Sequence, residues 1–145
     1  MSKLYRAIVV DDERLARNDL RLLLNNHKNI EVLGEASNGQ DALDMIKDLK
    51  PDLVFLDIQM PGMNGFDVLE HISSDVKVIF VTAFDEFALR AFEVNALDYL
   101  LKPVSDERLL QSIERLELIP DEAEEASREL EYHDRLLLKL DTSLG

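Results

Sequence analysis

The sequence predicts an α/β fold, a five-stranded parallel sheet covered by helices on both faces as a three-layer α/β/α sandwich, and three observations lead there. Short apolar runs rich in β-branched residues occur five times, and each is followed by a longer segment whose apolar residues fall at helical spacing. Strict alternation of this kind builds parallel sheets, and strands that are apolar throughout are strands buried on both sides. The charged residues that interrupt this pattern gather just after the strand-like runs, where such sheets bind their ligands.

The first strand is expected at residues 7–10, with Asp11 and Asp12 directly after it. Leu15, Leu20, Leu22, Leu23 and Leu24 then dominate the first helix. The second strand is expected at 30–33, and Ala42, Leu43, Ile46 and Leu49 give the second helix an i, i+1, i+4, i+7 stripe. The run 53–56 is the third strand and delivers Asp57 into the turn Gln59-Met60-Pro61-Gly62. Phe66, Val68, Leu69 and Ile72 predict a third helix capped by Asn64. A fourth strand at 76–81 leads to Thr82, and residues 87–94 give a short, aromatic fourth helix. The fifth strand, 97–101, ends at Lys102-Pro103. The fifth helix carries Leu109, Leu110, Ile113 and Leu116, with Ser105 as its cap.

Bulk composition narrows the class. The 145 residues suffice for one domain with a proper core and a short appendage, and a hydrophobic content of 46% is that of a folded chain. The absence of cysteine excludes disulfides and cysteine-ligated zinc. No apolar run approaches the roughly 20 residues that span a bilayer, and no secretion signal opens the chain, so a cytoplasmic location without membrane contact is expected. A formal charge of −14 repels nucleic acid, so any DNA contact is expected from a segment beyond this one.

Asp11, Asp12 and Asp57 converge on one end of the sheet, and three carboxylates there repel each other unless a cation sits among them. A polar turn capping the next helix accounts equally well for Asp11 and Asp12 taken alone; with Asp57 added, a hard-oxygen site for Mg2+ accounts for all three. Asp12 and Asp57 are expected as direct ligands, Asp11 through water, with the backbone carbonyl of Gln59 as a further donor. Thr82 is either an ordinary strand threonine or a hydroxyl for a phosphoryl oxygen. Lys102 is either a surface lysine or a counter-charge to the acids. Its neighbour Pro103 invites a cis peptide that aims the side chain. The three histidines, His27, His71 and His133, are too scattered for a metal site.

In this order Val10-Asp11-Asp12-Glu13, Asp57 with Met60-Pro61-Gly62, Thr82-Ala83 and Lys102-Pro103 resemble the motifs of the receiver domain of two-component response regulators, over residues 4–118. The resemblance implies a flavodoxin-like, doubly wound sheet of strand order 2-1-3-4-5. It further implies that Asp57 accepts a phosphoryl group from a sensor histidine kinase with Mg2+ assistance, and that Thr82, Ala83 and Lys102 attend the phosphoryl group. Tyr99 matches the family's aromatic switch position; its alternative is a half-buried tyrosine packing the sheet edge. The switch would alter the face of helix 4, strand 5 and helix 5 and promote a homodimer.

The stretch from Ala83 to Tyr99 resembles receivers attached to LytTR-type DNA-binding domains. The expected organisation is a receiver at 1–118, an acidic linker at 119–133 and the opening of a LytTR-type domain at 134–145. Two other readings compete. One is a stand-alone receiver acting by protein contact. The other is a phosphatase of the haloacid-dehalogenase type, which needs a second acid where this chain has Gln59. The expectation is therefore a signalling domain, not a turnover enzyme.

Overall fold

The computed structural model describes residues 3–120. Five strands, β1 (Tyr5–Val10), β2 (Ile30–Ala36), β3 (Leu53–Leu56), β4 (Lys77–Thr82) and β5 (Asp98–Leu101), form one sheet in the order β2-β1-β3-β4-β5. All adjacent pairs are parallel. Four helices connect them, α1 (Arg14–Leu24), α2 (Gly39–Leu49), α3 (Gly65–Glu70) and α4 (Ala88–Glu93), and α5 (Asp106–Glu117) follows β5. This is the parallel sheet that the alternating pattern predicts, in the flavodoxin-like, doubly wound order that the resemblance implies. The order reverses between β1 and β3, so the loops leaving those two strands part in opposite directions and open a crevice at their carboxyl ends.

The central strands are buried where their residues are apolar without interruption. Ala7 to Val10 and Leu53 to Leu56 are all at most 1% exposed. Below them Val68 and Phe66 of α3 meet Phe80, whose ring lies 5.0 Å from that of Phe66. The strand β2 runs three residues further than its apolar run. As an edge strand it tolerates Gly34 and Glu35, and its register against β1 shifts between Ala7 and Ile8. Glu35 is then held by Arg17 and Arg21 of α1 at 2.9 and 2.8 Å.

Three helices depart from the pattern-based reading. Of the five leucines expected to define α1, Leu20 and Leu24 are buried, while Leu15 (76%) and Leu22 are exposed. A helix presents only one stripe to the sheet, and Leu15 and Leu22 lie off it. The third helix stops at Glu70, and Ile72 packs on the core from the loop beyond. Phe87 precedes α4 and packs on the core, while Phe92 within it is 78% exposed. The caps are as expected: Asn64 and Asp67 form a capping box on α3, and the Ser105 hydroxyl accepts from the N–H of Arg108 at 3.1 Å.

The chain divides into two compact units, Met1–Ser112 and Ile113–Gly145. The first holds the whole sheet. The described part of the second comprises the end of α5 and the residues after it through Pro120, with Ile113 and Leu116 buried. The expected linker at 119–133 lies outside the described residues beyond Pro120, as do His133 and the expected domain opening at 134–145. Among the described residues no helix is long and apolar enough to cross a membrane.

Candidate functional site

Backbone hydrogen bonds from neighbouring strands hold the two buried acids. Asp11 leaves β1 with its N–H on the Ala36 carbonyl (3.1 Å), and Asp57 leaves β3 with its N–H on the Val10 carbonyl (2.9 Å). Asp12, one residue further out, is exposed. The three side chains offer carboxylate oxygens that all lie within 4.8 Å of one another. Each buried acid is steadied by a local amide. Glu13 N–H donates to Asp11 Oδ1 (2.9 Å) and Ile58 N–H to Asp57 Oδ1 (2.8 Å).

Among the described residues one cation enters this cluster. Lys102, just after β5, anchors its N–H on the Thr82 carbonyl (2.8 Å), and its peptide bond to Pro103 is cis. Its ammonium lies 2.7 Å from Asp11 Oδ2 but 3.5 Å from Asp57 Oδ2. One positive charge faces three acids, and the shortfall falls on Asp57. Burial and the Asp11 charge push its pKa up to about 6 against the pull of Lys102 and the Ile58 amide. The Lys102 ammonium is itself held above its ordinary pKa. Burial opposes that, but the bond to Asp11 and the charges of Asp57 and Asp11 outweigh it. Three clustered hard oxygen donors with incomplete charge compensation fit Mg2+.

Thr82 is fully buried at the end of β4, and its Oγ1 accepts the N–H of Phe84 (3.3 Å). The carbonyl of the same Phe84 accepts the Tyr99 hydroxyl. The Phe84 backbone is thus held on both sides of its Cα, at the N–H by the residue ending β4 and at the carbonyl by a residue in β5. Tyr99 is only half buried, and burial together with Asp85, Glu86 and Asp57 raises its pKa. Ala83 is exposed between Thr82 and Phe84, and Gln59 is exposed two residues beyond Asp57. His27 and His71 take no part. His27 faces Asp106 (3.3 Å), and His71 bonds the Asp67 carbonyl (2.9 Å).

Sequence reasoning missed four contributors. Arg17 bonds the Asp11 backbone carbonyl (2.8 Å) and ties it to Glu35. Phe84 works through its backbone, which leaves no mark on its identity. Gly65 lies directly against the Asp57 carbonyl. A third buried acid, Asp98 in β5, is gripped by Arg108 (2.9 and 2.8 Å) and Ser112 (2.5 Å) of α5. An acid within a buried strand, with Arg and Ser four apart on the next helix, was a readable signal for this last one.

A family model described as the response regulator receiver domain matches residues 7–114. An uncharacterized response regulatory protein of Vibrio cholerae is 52% identical over 112 residues, 76% of this chain and 47% of its own length. The sensory transduction protein LytT of Bacillus anthracis is 45% identical over 115 residues, 77% of this chain and 47% of its own. The chain thus spans about half the length of the curated relatives it matches. Among solved structures, the response regulatory domain of mrkE from Klebsiella pneumoniae superposes with a TM-score of 0.70 at 34% identity, over 77% of this chain and 93% of that one.

Proposed function

The chain belongs to the response regulator receiver domain family, and within that family we propose that it is a phosphorylation-controlled switch whose acceptor is Asp57. The observation that carries this reading is the undercompensated cluster at the carboxyl end of the sheet: two buried acids and one exposed acid sharing a single ammonium. The donor is the phosphohistidine of a sensor kinase or a small acyl phosphate. An Asp57 carboxylate oxygen forms the new bond to phosphorus as the bond to the donor nitrogen or oxygen breaks, leaving a mixed anhydride. Near pH 7 an acceptor of pKa about 6 is largely ionised, as a nucleophile must be.

Asp11, Asp12, Asp57 and the Gln59 carbonyl would hold Mg2+, which when bound neutralises charge on the carboxylates and on the transferring phosphoryl oxygens. Lys102, already between Asp11 and Asp57, pairs with the phosphoryl oxygens. The small Ala83 leaves that approach open. The added charge draws the Thr82 hydroxyl away from the Phe84 N–H. Tyr99, bonded to the carbonyl of the same residue, follows, and the surface of α4 and β5 changes. Phe92 and Leu89 are already exposed on α4, where an apolar surface suits a homodimer contact.

Output through a LytTR-type DNA-binding domain rests on the likeness to LytT and to other relatives of whose length the match covers about half. A receiver acting by protein contact alone is the second reading, favoured only by the acidic surface. Turnover hydrolysis of phosphate esters is not part of the proposal, because Gln59 offers no general acid.

The test is intact mass after incubation with Mg2+ and a small acyl phosphate. Wild type gains one phosphoryl group and Asp57→Asn none; equal labelling of both sinks the assignment. Sedimentation of the labelled protein reads the dimer. A monomer at every accessible concentration removes that part of the proposal.

A further inference from the structure

Gly65 opens α3 with no need for glycine's backbone freedom, since its neighbours form an ordinary capped helix start. What it needs is space. A Cβ built on Gly65 would stand 2.4 Å from the backbone oxygen of Asp57, 2.9 Å from the Ile58 Cα and 3.2 Å from the Asp57 carbonyl carbon. These are backbone atoms and cannot swing aside as a side-chain tip can. The Gly65 N–H also donates to the Ile58 carbonyl at 2.8 Å, so α3 is laid directly on the peptide that carries the acceptor. The loop between them is seated from its flank as well. A Cβ on Gly39, the first residue of α2, would meet Met63 Cβ at 2.8 Å.

We infer that Gly65 is a positioning residue for phosphoryl transfer, with Gly39 as its lesser counterpart: together they let the Asp57 loop close tightly enough to set the acceptor against Asp11 and Lys102. The inference rests on the reading of Asp57 as acceptor. Asp57 hangs from the peptide that Gly65 touches, whereas Asp11 and Lys102 are fixed to β1 and β5. A methyl at residue 65 needs about 3.3 Å from that carbonyl oxygen and must open the contact by about 1 Å. The displacement acts on Asp57 alone and leaves its partners in place. Misplacement on that scale slows a positioned reaction by up to about 100-fold.

The experiment compares Gly65→Ala, Gly39→Ala and Gly34→Ala with wild type. Gly34 is the control, since its added methyl meets only the thioether end of Met45, at 3.2 and 3.4 Å. Initial rates of Asp57 labelling by a small acyl phosphate, divided by the folded fraction from circular dichroism, are measured against phosphodonor concentration. Mg2+ affinity is read separately by calorimetry without phosphodonor. Gly65→Ala should lower the limiting rate roughly 10- to 100-fold with little change in half-saturation, and weaken Mg2+ binding several-fold. Gly39→Ala should lose several-fold in rate, and Gly34→Ala should match wild type.

A wild-type rate per folded molecule in Gly65→Ala overturns the inference. If Gly65→Ala does not fold, a wild-type rate in Gly39→Ala overturns it instead. Failure of the acceptor assignment looks different, because wild type and Asp57→Asn would then label alike.

Discussion

Two buried acids stand at opposite ends of the same sheet, and the fold treats them in opposite ways. Asp57 and Asp98 are almost equally hidden, at 6% and 7% exposed. At Asp98, burial works to raise the pKa. The Arg108 and Ser112 side chains and the Tyr99 amide more than reverse it, and the carboxyl falls below its usual range. At Asp57 a shared lysine and one amide leave burial and Asp11 in control, and the carboxyl rises to about 6. Burial sets the cost of a charge, and the partners within reach decide whether it is met. Asp98 is a finished contact that fastens β5 to the start of α5. Asp57 is an unfinished one, and the proposed function assigns the missing compensation to a cation and the response to a phosphoryl group.

The contrast is broken most directly at Asp98. Asp98→Ala strands the Arg108 guanidinium and the Ser112 hydroxyl, and urea denaturation should show a loss of about 3 kcal/mol at pH 7. A loss below about 1 kcal/mol would mean that the pair is as poorly compensated as the other site. The folded pKa of Asp98 lies below its unfolded value of 3.8, so its contribution is complete above that value. It fades as the pH falls further, and the deficit of the variant should shrink below about pH 4.

The next effect is of opposite sign and belongs to Asp57. Mg2+ at 100 times its Kd should stabilise wild type by about 2.7 kcal/mol in the same assay, and Asp57→Asn by much less. Equal stabilisation of both would place the cation elsewhere.

The smallest effect concerns Asp57 in chelator. Its folded pKa of about 6 exceeds the unfolded 3.8, so the folded state holds the proton more tightly between those values. Ionised Asp57 therefore destabilises the fold at pH 7, by at most about 3 kcal/mol and nearer 1–2 once solvent relaxation is allowed for. Asp57→Asn should be the more stable protein by that margin at pH 7, and the advantage should close as the pH drops from 6 towards 4. A variant less stable than wild type at pH 7 would put Asp57 in the same class as Asp98.

The sheet was legible because parallel strands buried on both faces have little choice of residue, and Leu53 to Leu56 was placed to the residue. The extension of β2 through Glu35 was not, since its register depends on β1 and on arginines in α1. Asp11, Asp57, Thr82 and Lys102 could be read because each is a polar residue ending an apolar run, and the structure places all four at one end of the sheet. What could not be read is what acts through backbone or empty space: the Phe84 peptide, the carbonyl that Arg17 grips, and the missing side chain of Gly65. The exposed Leu15 was misread because a leucine carries the same weight in a pattern whichever way its helix turns.

The contact of Lys102 with Asp11 and Asp57 joins the last strand of the sheet to the first and the third. Both acids precede the lysine by at least 45 residues in the chain, and its ammonium reaches them only when β5 is paired with β4. The ion pairs therefore require β5 to be seated at the edge of the sheet. A chain with β5 displaced keeps its acids but loses the one ammonium between them. The charge balance at this site therefore depends on the last strand being in place.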